Sequence, residues 1–157
     1  LVTIRRGGSL TDTDHRVLAA WAALCAEHVL PLFEAARPND DRPRLAIEAA
    51  RSWITADASM MSARAAGGHS MRAARDLAGA PRFAAYAAGQ AACVAHVAAH
   101  DLGAAAYAIK AVRTALGDVA GREEREWQRT QLPSTVRALV LDDQSLRDGL
   151  CWSMFSF

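Results

Sequence analysis

The side chains best suited to coordination or proton transfer sit in two short segments, Cys25-Ala-Glu-His28 and Cys93-Val-Ala-His96-Val-Ala-Ala-His100. Both lie in apolar, alanine-rich surroundings, where a histidine has to be satisfied by a partner. On an ideal helix positions 93, 96 and 100 fall within about 60° of arc, and 25 and 28 are similarly close. If the helices that carry them pack together, five nitrogen and sulfur donors converge. Thiolate and neutral imidazole are the ligand types of a tetrahedral zinc site, so a site for zinc or another divalent metal is one reading. A second is a polar core with no cofactor, because cysteine behaves as a small hydrophobe and a histidine can bond a carbonyl or carboxylate. A third is a small-molecule or catalytic pocket, with Cys25 near His28 offering thiol–imidazole chemistry. Spacing alone leaves all three open.

Recognisable catalytic signatures are missing. The chain has no HExxH, glycine-rich phosphate loop, GxSxG, EF-hand or paired CxxC pattern. Glu27 and His28 are adjacent and face different directions, unlike the Glu-x-x-His pairs of di-iron bundles. Asp40, Asp41, Arg42 and Arg44 form a charged segment that is a candidate partner-binding surface, although helix capping explains part of it. Arg64, Arg72, Arg75 and Arg82 fall near one helical face. Such a row can grip phosphate or carboxylate, and it is also what a solvated face looks like.

The elements that must position these residues are helices. About a quarter of the 157 residues are alanine, the best helix former and the smallest side chain that still packs. The length suits one domain with a single core. We expect an all-α fold, a compact single-domain array of six or seven helices. A flexible lead-in covers 1–11, the all-α domain 12–141 and an apolar tail 142–157. The first helix starts at the capping residues Thr11 to Asp14, is interrupted by Pro31 and ends near Arg37. The second ends near Ala56. The third runs from Ser59 to about Ala78, weakened by Gly67-Gly68. The fourth extends to about His100 and the fifth to about 116. Glu123 and Glu124 stand in the first turn of the sixth, and Pro133 marks a kink or a further helix. Trp21, Trp53 and Trp127 fit core positions. The tail, with Trp152, Met154, Phe155 and Phe157, suits docking on the body or a homodimer contact.

Eighteen basic and seventeen acidic residues give a net charge of +1. That supplies no electrostatic case for nucleic acid or an anionic membrane. No uninterrupted run reaches the eighteen or more apolar residues of a membrane span, and no segment has the order of a signal peptide. Three cysteines, an odd number, fit reduced thiols and a cytoplasmic location.

The string from Trp21 through Cys25, His28 and Pro31 to Glu34 resembles a known family when read with Asp41-Arg42-Pro43-Arg44, Glu48, Arg51 and Trp53. So does the later stretch with His96, His100, Tyr107, Lys110, Val112, Glu126 and Trp127. The resemblance is to the immunity proteins of bacterial polymorphic toxin systems, of the actinobacterial all-α type, over about residues 12–140. Trp21, His28, Pro31, Asp41, Arg42, Pro43, Trp53, His96 and His100 match its characteristic positions. Gly67-Gly68-His69 and the tail after Leu141 depart from it. The resemblance implies an all-α domain that neutralises a partner toxin by binding it; we expect no cofactor, with zinc or another divalent metal as the alternative. The competing reading is a metal-dependent or pocket-based enzyme built on His28, His96 and His100.

Overall fold

The computed structural model describes residues 1–157. Seven α-helices follow one another: α1 Asp12–Glu34, α2 Arg42–Ile54, α3 Met60–Ala73, α4 Gly79–Cys93, α5 His100–Leu116, α6 Asp118–Thr130 and α7 Ser134–Arg147. No strand is present, and the fold is all-α as expected.

Local chemistry sets the helix limits. The Thr11 hydroxyl accepts the Asp14 amide at 3.0 Å and starts α1, and Ser59 does the same for α3 through Ser62. Pro31 lies within α1 and does not end it. Gly117, at φ +92°, closes α5 and opens α6 in a single residue. The sixth helix therefore begins at Asp118, ahead of the acidic pair expected to start it.

α4 is the centre of the array, packed by α1, α2, α3 and α5. Ala84, Ala85, Ala87, Ala88, Gly89, Ala91 and Ala92 are all buried along it. Only small side chains let four neighbours close on one helix at interior packing density. Leu18, Trp21, Val29, Phe33, Ile109, Val136 and Val140 supply the larger core volumes.

The fourth helix is shorter than the apolar pattern suggests. It ends at Cys93, and residues up to His100 turn instead, with amides bonding three or four residues back. At that point His15 of α1 donates from Nε2 to the Val94 carbonyl at 2.6 Å.

Both ends of the chain belong to the body. Residues 1–11 carry a 3₁₀ turn at Ile4–Arg6, and Leu10 is buried in the core. At the other end Cys151, Met154 and Phe155 are buried too. Arg129 and Arg125 donate to the carbonyls of Phe155 and Phe157 at 3.0 and 2.8 Å.

Counted as a run, no stretch spans a membrane, but α1 as a helix is long and apolar enough to do so by length and composition. More than half of that window is buried within the protein, where its apolar face meets α4 and α5.

Candidate functional site

α1 and α6 both pack on α5 without packing closely on each other. The gap is an open groove of about 420 Å³ lined by His28, Leu32, Val112, Leu116, Glu123 and Trp127, among others. Side chains brace its back. His28 Nδ1 donates to Glu124 Oε2 at 2.7 Å, and its ring stacks on Trp127 with centroids 3.7 Å apart and planes 20° from parallel. The Gln128 side-chain amide donates to Glu124 Oε1 at 2.8 Å and to the Ala105 carbonyl at 3.3 Å. Trp21 Nε1 donates to the Gln128 carbonyl at 2.9 Å.

The network is assembled from helical spacing on two elements. Positions 21, 25 and 28 share a face of α1, and positions 124, 127 and 128 share one of α6. Glu124 and Gln128 are buried, whereas the His28 side chain is 47% exposed. Its Nδ1 is fixed by the carboxylate, and its Nε2 has no partner within the chain. Such a pairing orients an imidazole and sets its tautomer. Leu116, 72% exposed, lines the groove, and Glu123 adds an acid at its edge. The site therefore offers an apolar floor, an oriented imidazole and a negative rim.

Cys25 does not join this chemistry. It is fully buried on α1, and burial first, then the nearby Glu124 and Asp101, push its thiol well above the ordinary range. A protonated, enclosed thiol is a poor nucleophile. Cys93 is raised by burial, and Cys151 to about 11 by burial and then the neighbouring Asp148. All three thiols are free.

The five donors that the metal reading would require to converge do not do so. No group of three His, Cys, Asp or Glu side chains is placed to hold a metal ion. Cys93 lies at the end of α4 and His96 in the turn beyond it, where its Nδ1 is buried without a partner. His100 opens α5 and bonds Gln90 Oε1 through Nδ1 at 2.7 Å, and burial lowers its pKa. Because α4 stops at Cys93, residues 93, 96 and 100 no longer share one helical face. Only His28 of that set reaches the groove.

The Asp40–Arg44 segment follows from the end of α1 that bears Pro31 and Leu32, and most of its charges are engaged locally. Arg42 Nε donates to Asp40 Oδ1 at 2.8 Å and depresses that carboxyl, and Arg44 bonds Glu34. Asp41 precedes α2 and makes no side-chain cap.

Sequence reasoning placed Trp127 in the core and Glu124 in a first turn, and passed over Gln128 and His15. The available signal was the Glu124, Trp127, Gln128 spacing on an otherwise highly charged helix, which marks one inward stripe.

The fold and groove define an all-α protein with a preformed, side-chain-braced surface cleft and no group of three side chains placed to hold a metal ion. Residues 8–135, well over half of the chain, match the family model described as Imm-5 like putative immunity protein, and the chain belongs to that family. No curated protein and no solved structure showed significant similarity.

Proposed function

We propose that the protein is a non-enzymatic immunity protein that neutralises a cognate toxin by binding it, in the cytoplasm of a bacterial cell, and that the α1–α5–α6 groove receives the toxin. Membership of the immunity family supplies the class. The observation that carries the choice of surface is the exposure of Leu116 within the lining of an apolar cleft. Exposed large apolar side chains around a concavity mark a protein contact. Glu123 at the edge selects a toxin element that seats an apolar side chain flanked by lysine or arginine. The charges of the Asp40–Arg44 segment are largely paired already and lie outside the groove lining.

Calorimetric titration against the cognate toxin tests both parts. Leu116→Asp should weaken binding at least about thirtyfold, the scale of a contact worth about 2 kcal/mol. Leu45→Ser, at an exposed leucine on α2, should leave affinity unchanged. Equal binding by both variants and the parent would remove the groove from the interface. Absence of binding, together with failure to protect cells producing the toxin, would remove the immunity reading.

One observation favours a second reading. The Glu124–His28 pair has the form of an oriented general base, as a pocket-based enzyme acting on the toxin would require. Toxin recovered with unchanged mass after protection excludes covalent modification and leaves steric binding.

A further inference from the structure

We propose that a second cavity, formed by the N-terminal turn and the start of α1, binds a small phosphate-type oxyanion. It lies away from the groove, and its volume is about 300 Å³, at the lower end of ligand pockets. Arg5, Arg6, Arg16, His15 and His96 line it, with the Trp53 ring as a wall.

The fold brings the arginines there by a specific device. Gly7, at φ +80°, closes the Ile4–Arg6 turn with its amide on the Ile4 carbonyl at 3.0 Å. A non-glycine residue is strained in that conformation. The Thr3–Leu10 bridge and the buried Leu10 then hold the turn against the body. Arg5 and Arg6 are thereby set beside the first turns of α1.

Charge at this cavity is unbalanced. Three guanidiniums face one carboxylate, Asp12, and that acid already accepts Arg5 at 2.7 Å. Arg6 has no acidic partner. Arg16 donates to the carbonyls of Trp53 and Ile54 at 2.8 and 2.6 Å and meets no carboxylate either. His96 Nδ1 is buried and unbonded. The arginines of α3 that lack acidic partners, Arg64 and Arg72, line a recess that is more open to solvent. Two uncompensated guanidiniums around a polar recess suit a doubly charged oxyanion, because their planar forks donate paired hydrogen bonds to such oxygens. The Trp53 ring, with His15 at 4.9 Å and Arg16 at 5.2 Å from it, forms an aromatic side of the cavity that a group attached to the anion would meet.

Proton–nitrogen NMR titration at low ionic strength, with inorganic phosphate in one arm and adenosine monophosphate in the other, tests the site. Saturable shifts should be confined to residues 5, 6, 15 and 16, the Trp53 indole and residues 95 and 96. Arg6→Ala, at an exposed position, should weaken binding about tenfold, while Arg122→Ala on α6 should bind as the parent does. Tighter binding of the nucleotide with a larger Trp53 shift assigns a phosphoester, and equal binding assigns the phosphate group alone. Absence of saturation, shifts spread over surface arginines such as Arg64 and Arg122, or an unaltered Arg6→Ala titration would each overturn the proposal.

Discussion

Asp101 shows what a single buried group can cost the fold. Its Oδ1 accepts the Leu102 amide at 2.7 Å, but Oδ2 has no partner and the residue is fully buried. Burial raises its carboxyl from 3.8 to about 7. Between those values the folded chain holds a proton that the unfolded chain has released. Stability contributed by the neutral form therefore falls as pH rises through that window. Asp101→Asn should be stabilising by about 2–4 kcal/mol at about pH 8 and nearly neutral at about pH 4. Thermal melts at the two values check this, and an equal gap at both would show that the carboxyl does not titrate. His15 and His100 act in the opposite direction. Burial lowers both, so the unfolded chain binds more protons below about pH 6.5 and stability is lost as pH falls. The Asp101→Asn background isolates that acid limb.

At the scale of elements, the α3–α4 contact is decided by two glycines. A Cβ on Gly67 would lie 2.6 Å from the Gly89 carbonyl oxygen and 2.9 Å from Cys93 Sγ. One on Gly89 would lie 2.7 Å from Met71 Cγ. The pair Gly67-Gly68 reads in the sequence as a weak point, yet α3 is continuous from Met60 to Ala73. Periodicity within about four residues reports propensity, whereas close approach depends on a helix twenty residues away. The two neighbouring glycines should therefore respond oppositely to alanine. Gly67→Ala forces the helices apart and should destabilise by about 1–3 kcal/mol. Gly68→Ala meets only the end of Arg72 at 3.9 Å and should stabilise by up to about 1 kcal/mol. Urea unfolding of the two variants measures the difference, and the same sign for both would refute the close-approach account.

At the scale of the whole molecule, the C-terminal segment closes the body. Met154 and Phe155 are buried in the core cluster, and Arg113 and Arg125 lie over the Phe157 ring at 4.2 and 5.5 Å. Lys110 sits between the rings of Phe83 and Trp152 at 4.8 and 4.2 Å. These contacts are made within one chain, while Leu146, Leu150 and Trp152 stay exposed. Phe155→Ala should lower stability by about 3–5 kcal/mol and leave the solution mass unchanged. Circular dichroism melts and light scattering read the two quantities, and a fall in mass would instead make this segment an interface between copies.

The sequence by itself determined the class of fold, the number of helices to within one, and most helix starts. Those are local properties, set by capping hydroxyls at Thr11 and Ser59, by Gly117 and by alanine content. It also marked His28 as a residue that needs a partner. Only the tertiary structure decided which partner. His28 and Glu124 are 96 residues apart, and no spacing along one helix encodes that meeting. The same holds for His15, 79 residues from the Val94 carbonyl that it captures. With α4 ending at Cys93, residues 96 and 100 no longer continue its face, and the donors that the one-dimensional pattern had aligned are separated.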